Sequence, residues 1–298
     1  MDDRKREALG NLSTKGIEYL REKKPKLLIG TPCYGGLAYV GFMESLLRLQ
    51  KTLLAIGIEH EIMSFGSESL IPRARNSIVA GFLAKKFTHL LFIDADITFQ
   101  VEAVLRLLIA DYHVSGVAYP KKGLKWQEIS DEILRLSQVA KEKNSPLELN
   151  PAELVSKTLD YVLNFRKPEE GGSNQIRVEA GFIEISELGT GFMMIRSEVF
   201  DALRQEYPDL KYVNDVAFYD AIHPDVKDHF WLFFDCVQCP LTKRYLSEDY
   251  AFCQRWKDCG GKIYVDITQP LTHTGIYHYS GVLGSKFIGF TPSQEEKK

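Results

Sequence analysis

Four consecutive apolar residues, Leu90-Leu91-Phe92-Ile93, run directly into Asp94-Ala95-Asp96. A short apolar run with polar flanks reads as a strand buried on both faces, which calls for a parallel sheet covered by helices. In extended backbone, alternate residues point the same way, about 7 Å apart. Both carboxylates are therefore expected in the crevice at the carboxyl edge of the sheet, where α/β folds take their ligands. Two like charges placed there need a counter-charge. A hard divalent cation, Mn²⁺ or Mg²⁺, supplies it, accepting oxygen ligands and completing its shell with phosphates. The plainer alternative is a turn carrying two solvated aspartates, and the buried strand before it weighs against that.

The flanking chain alternates strand and helix. Strands are expected at Lys26–Gly30, Ile58–Phe65 and Val114–Val117, with helices over residues 37–56, 71–86 and 101–110. This pattern predicts an α/β fold, a mostly parallel central sheet with helices on both faces. Residues 127–175 interrupt it with helical, charged segments around 127–142 and 151–165 and a loop at Pro168–Ser173, and read as a helical insert. That insert is a lid, an acceptor platform or an oligomer contact. Two short strands around Gly181, a strand at Phe192–Ile195 with a helix from Ser197, a strand at Phe230–Cys236 and a last strand at Lys262–Ile267 follow. The expected organisation is an N-terminal extension (1–25), one domain (26–280) containing the insert, and a tail (281–298).

Candidate ligand contacts fall on the loops after these strands. Thr31-Pro32-Cys33-Tyr34-Gly35-Gly36 follows the first strand but forms neither a GxGxxG nor a P-loop. Tyr34 offers a ring for a base or a cap to the sheet. Arg73, Arg75 and Asn76 open the helix after Ser67 and Ser69, either of which suits its N-cap. Cations there oppose the helix dipole, so the two arginines suggest pairing with Asp94 or a phosphate. Lys121 and Lys122 lie in a basic loop after Val117. Gly189-Thr190-Gly191 lets backbone approach a ligand closely, or forms a bulge. Glu248 and Asp249 follow Ser247, the expected cap of a helix running through Trp256. Carboxylates in a first helical turn are favoured by the dipole alone. His273 follows the last strand by a short Pro-bearing loop.

Composition excludes more than it assigns. Hydrophobic residues make up 45% and charged residues 26% of 298, ordinary for a globular protein, and the net charge of −3 provides no basic field for nucleic acid. No apolar run is long enough to span a bilayer and the charged start lacks a signal-peptide core, so a cytoplasmic location is expected, host cytoplasm for a viral chain. Five cysteines fit reduced thiols. Cys236-Val237-Gln238-Cys239 lacks the second pair a zinc site requires.

Taken in order, the Asp94-Ala95-Asp96 strand end, the Gly-Thr-Gly-Phe strand, Ser247-Glu248-Asp249 and Thr272-His273 resemble nucleotide-sugar glycosyltransferases of the GT-A fold over residues 26–275. The blocks Ile71–Asn76 and Phe92–Ile97 are similar to GT-A sequences of phages, giant viruses and bacteria, and more distantly to fungal Anp-type mannosyltransferases. The resemblance implies a metal-dependent transfer of sugar from a nucleotide-diphosphate donor. It implies Asp94 at the ribose or in the metal shell, and Asp96 and His273 as metal ligands. Thr31, Pro32 and Tyr34 would hold the nucleoside, and Asp249 would be the base of an inverting reaction, with Glu248 beside it as a second catalytic candidate. Arg73, Arg75, Asn76, Lys121, Lys122 and Gly191 are the further donor-site candidates. The acceptor is a glycan, a protein, a lipid or a modified nucleobase, and an oligomer is compatible with the chain. The rival readings are a nucleotidyltransferase on a similar scaffold, disfavoured by the lack of a basic residue in Thr31–Gly36, and a nucleotide-sugar-binding protein without turnover.

Overall fold

Two helices, α1 (Asp3–Gly10) and α2 (Ile17–Lys23), precede the first strand in the computed structural model, which describes residues 1–66, 68–166, 176–216, 224–275 and 277–287. Then come β1 (Lys26–Pro32), α3 (Val40–Ile56), β2 (Glu59–Phe65), α4 (Ile71–Ala84), β3 (His89–Ile93), β4 (Ile97–Phe99), α5 (Val101–Ala110) and β5 (Val114–Val117). The middle of the chain forms α6 (Trp126–Glu142), α7 (Pro151–Thr158), β6 (Leu163–Phe165), β7 (Phe182–Leu188), β8 (Phe192–Arg196) and α8 (Ser197–Glu206). The last elements are β9 (Val237–Gln238), β10 (Tyr245–Leu246), α9 (Glu248–Asp258), β11 (Ile263–Asp266), β12 (Leu271–Thr274) and β13 (His278–Gly281).

Eight strands form one sheet in the order β2-β1-β3-β8-β5-β11-β7-β6. It is mixed. β1 is parallel to β2 and β3, and β11 to β5, but β8 lies antiparallel between β3 and β5, and β7 antiparallel between β11 and β6. Most strands thus share one direction, as the buried apolar runs suggested, while β8 and β7 run against them.

Strand alternation divides the core into two layers. Leu27, Ile29, Leu91 and Ile93 pack with α1, α2, α3 and α5, whereas Leu28, Leu90 and Phe92 pack with α4, α8 and α9. Helices do cover both faces. The first 25 residues belong to this core, with Ala8, Leu9, Tyr19 and Leu20 buried under α5. At the other end, Ser285 donates to the Ser156 hydroxyl (2.9 Å), and Ser156 accepts from the Val282 N–H (2.8 Å), tying 281–287 to α7.

Four expected elements differ. The helix expected through residue 165 ends at Thr158, because Leu163–Phe165 pairs with β7 at the sheet edge. Around Gly181 there is one strand and a single bridge, Glu179 to Phe182, with Gly181 at φ +87°. The Ser197 helix is present, but Leu70, not Ser69, occupies the N-cap of α4; Ser67 lies outside the described residues, as does the loop at Pro168–Ser173. Phe230–Cys236 is not a strand. Phe230, Phe233 and Phe234 are all fully buried, which one-sided period-2 alternation does not allow. One antiparallel bridge, Lys211 to Trp231, pairs the start of this segment, and side chains satisfy the backbone after it. Asn76 donates to the Phe234 carbonyl (2.8 Å) and accepts its N–H (2.9 Å), while Arg255 donates to the carbonyls of Leu232 (3.0 Å) and Phe233 (2.8 Å).

Candidate functional site at the carboxyl edge of the sheet

Strand β3 stops at Ile93, and Asp94-Ala95-Asp96 closes a turn through the Ile97 N–H to the Asp94 carbonyl (3.0 Å). The extended geometry expected of the two aspartates is therefore replaced by a turn, and their side chains meet different partners. After the turn, β4 leaves the main sheet and joins a small antiparallel one, β13-β12-β4, in which Ile97 faces His273. The Thr274 N–H donates to the Asp96 carbonyl (2.8 Å). Strand pairing thus delivers a histidine from 177 positions further on to the aspartate turn.

Asp96 Oδ2 accepts from Lys122 Nζ (2.6 Å) and lies 3.4 Å from His273 Nε2. His273 Nδ1 is 2.8 Å from the Pro120 carbonyl, which only accepts, so that nitrogen carries the hydrogen. In the neutral ring, Nε2 then presents a lone pair to a carboxylate. Asp96 Oδ1 is buried with no protein hydrogen-bond partner. Burial raises the Asp96 carboxyl, but hydrogen bonds and charge from a doubly protonated His273 and from Lys122 outweigh it and hold it below the ordinary value.

Asp94 has other partners. Its Oδ1 accepts from Arg75 Nη2 (2.9 Å), and Arg75 Nε reaches Glu248 Oε1 (3.3 Å). The guanidinium is buried over the Phe92 ring, 5.3 Å to the centroid, with Nη1 left without a hydrogen-bond partner. Arg75 so links the aspartate turn to the first turn of α9. Ser247 sits at the N-cap of α9, yet its side chain makes no cap bond and its hydroxyl donates to Asp249 Oδ1 instead. That same oxygen accepts the Tyr250 N–H (2.8 Å). Burial pushes the Asp249 carboxyl above its usual value, the Ser247 bond opposes this, and the neighbouring Glu248 charge adds to the rise.

Tyr119, at the end of β5, organises the floor. Its ring meets His273 edge to face at 5.2 Å, and its hydroxyl accepts the Gly191 N–H (3.3 Å). A Cβ at Gly189 or Gly191 would lie 2.4 or 2.6 Å from Tyr119 atoms. The two glycines clear space for this tyrosine, and the Gly191 carbonyl accepts the Asp94 N–H (3.0 Å). Burial, together with the charges of Asp94 and Asp249, drives the phenol well above its usual value, so it stays neutral. Sequence reading missed Tyr119; its position directly after a buried strand was the available signal.

The remaining candidates separate. Thr31 is the next-to-last residue of β1, with a buried hydroxyl lacking a hydrogen-bond partner, Pro32 is the last residue of that strand, and Tyr34 is exposed just beyond. The Tyr39 N–H donates to the Ala95 carbonyl (2.9 Å), which sets the chain after this loop against the aspartate turn, and burial with the Asp94 charge raises the thiol of Cys33. Arg73 makes a two-bonded pair with buried Glu68 (2.6 and 2.9 Å) and secures the start of α4 rather than reaching Asp94. Asn76 is committed to Phe234. Lys121 is exposed, its N–H bonded to the Asp160 carbonyl (2.8 Å).

Asp96 and His273 offer two ligands to a cation. Among the described residues, no group of three or more His, Cys, Asp or Glu side chains is arranged to hold a metal. A cation held by these two would take the rest of its shell from water, backbone or bound-ligand oxygens, the kind of shell Mn²⁺ and Mg²⁺ accept. No described helix is long and apolar enough to cross a membrane. Compared with known proteins, the chain matches no family model and no curated protein.

Proposed function

We propose that the protein is a metal-dependent glycosyltransferase that moves a sugar from a nucleotide-diphosphate donor to an acceptor hydroxyl. The observation that carries this reading is the Asp96–His273 pair, in which the imidazole Nε2 lies 3.4 Å from the carboxylate oxygen that also accepts from Lys122, while the other carboxylate oxygen is buried without a partner. Such a pair suits a divalent ion, whose contribution when bound is to neutralise the diphosphate. The loop after β1 would take the nucleoside, with the Thr31 hydroxyl and Tyr34 ring as its contacts.

The acceptor oxygen attacks the anomeric carbon, the bond from that carbon to the diphosphate oxygen breaks, and nucleoside diphosphate leaves. In an inverting reaction, the acceptor proton passes to Asp249. A carboxyl raised by burial holds that proton more firmly, nearer what a base working at neutral pH requires. Ser247 and the Tyr250 N–H fix one carboxylate oxygen and leave the other for the acceptor. Lys122, bonded to Asp96 but with its side chain partly exposed, is the cation proposed for the departing diphosphate, whereas Arg75 is buried between Asp94 and Glu248.

The test is release of nucleoside diphosphate from a panel of nucleotide sugars, with Mn²⁺, Mg²⁺ or chelator. Release from one donor, dependent on divalent ion, is expected. Tight nucleotide-sugar binding without release under any acceptor would favour the binding-protein reading, and pyrophosphate release from a nucleoside triphosphate the nucleotidyltransferase. The Lys122–Asp96 bond favours one variation, in which Lys122 alone neutralises the diphosphate; chelator-resistant release lost in Lys122→Ala would identify it.

A further inference from the structure

Helix α3 is apolar on two opposite sides. Phe42, Leu49, Leu53 and Ile56 are buried against the sheet. On the other side Val40 (65% exposed), Met43, Leu47 (57%) and Leu54 (68%) face solvent, with Leu37 (73%) just before the helix. At 100° per residue, these four helical positions fall within a sector of about 60°. Scattered apolar residues on a surface are ordinary, but a second apolar stripe, broken only at Gln50 and Lys51, on a helix already packed by its first calls for a covering partner.

The spacing of the stripe, Val40, Met43, Leu47 and Leu54, follows the positions of a helix–helix seam. Glu44 and Lys51 flank it on the same side, one turn to either side of its centre, and both lie on the surface. Two copies of α3 laid antiparallel across a two-fold axis at Leu47 would set Leu47 on the partner's Leu47 and Val40 on the partner's Leu54. The same rotation sets Glu44 opposite the partner's Lys51, and does so twice. Glu44 is otherwise engaged only by an exposed i,i+4 contact from Arg48 (3.1 Å), which is readily exchanged. An anionic membrane surface fits less well, because Glu44 lies beside the stripe and the chain carries a net charge of −3.

We infer that the exposed face of α3 is a self-association seam, occupied by the same face of a second copy of this chain in antiparallel two-fold contact. The seam sits against the candidate site. The Tyr39 N–H at its start donates to the Ala95 carbonyl (2.9 Å), and the Phe99 N–H donates to the Ser45 hydroxyl on the buried side (3.1 Å). The inference does not depend on the chemistry proposed above.

Sedimentation equilibrium of the full chain over a wide concentration range tests it, with thermal unfolding to verify that each variant folds. The parent is expected to show a reversible monomer–dimer equilibrium that Leu47→Asp shifts to monomer. Glu44→Lys and Lys51→Glu should each weaken the dimer at least tenfold, and the double exchange should restore it. A parent that stays monomeric overturns the inference, as does a dimer indifferent to Leu47→Asp or to the charge exchanges. A monomer that pellets with phosphatidylserine vesicles overturns it in favour of a membrane surface.

Discussion

His273 Nε2 lies 3.4 Å from Asp96 Oδ2 while its other ring nitrogen is held by the Pro120 carbonyl. The pairing of two acceptors leaves room for one positive species between them, a proton or a metal ion. In a metal-dependent transferase that species would be the metal. His273→Ala should then raise the Mn²⁺ concentration needed for half-maximal donor turnover, because it removes one of the two protein ligands. A variant whose Mn²⁺ titration overlays the parent's would remove His273 from the metal.

Asp249→Asn keeps an oxygen acceptor for Ser247 and the Tyr250 N–H but cannot take a proton. Transfer should fall by about 10²–10⁴ in an inverting enzyme while donor binding persists. Stability should move the opposite way. The folded carboxyl is raised above its unfolded value, so the aspartate favours folding fully below the unfolded value, and this contribution is lost as pH rises through the folded one. The asparagine variant is expected to unfold at higher temperature than the parent at neutral pH, with the gap narrowing in acid.

Asn76→Ala tests the reassignment of that residue from donor site to scaffold. It removes both bonds to the Phe234 backbone and leaves a buried N–H and carbonyl unpaired, at a cost of roughly 1–3 kcal/mol. For a chain of this size each kcal/mol lowers the melting temperature by about 2–4 °C. Donor affinity of the folded fraction, measured well below the transition, should stay near that of the parent. Unchanged melting with lost donor binding would return Asn76 to the site.

Gly191→Ala places a methyl 2.6 Å from the Tyr119 ring. Overpacking of this kind costs about 1–3 kcal/mol. The penalty should shrink when Tyr119→Leu is made alongside, because the clash is pairwise. A penalty that survives the double change would point instead to backbone strain at Gly191.

Much of the scaffold was legible from periodicity. The apolar runs at Leu90–Ile93 and Val114–Val117 and the helix at 101–110 appear where the sequence placed them, since burial and strand or helix period agree there. What escaped depends on contacts distant in sequence. Nothing local to Phe230–Cys236 reveals that Asn76 and Arg255 bond the backbone of Leu232 to Phe234, nor that β8 enters the sheet antiparallel between β3 and β5. Among the site candidates, Arg75 meets Asp94 as its unusual place in a helix start suggested. Arg73, carrying the same signal two residues away, is claimed by Glu68. Ser247 shows the same limit, occupying the cap position while its hydroxyl serves Asp249.

The small sheet of β4, β12 and β13 also sets a rule for which length changes the chain can absorb. His273 faces the aspartate turn because it stands opposite Ile97, and successive strand residues alternate sides. One residue inserted between Leu271 and His273 would shift the pairing by one and turn the imidazole to the other side, even with every side chain retained. Residues added at the hairpin end beyond Thr274 leave that register untouched. Chains sharing this arrangement should therefore vary in length at the hairpin tip and hold constant the few residues from Leu271 to Thr274.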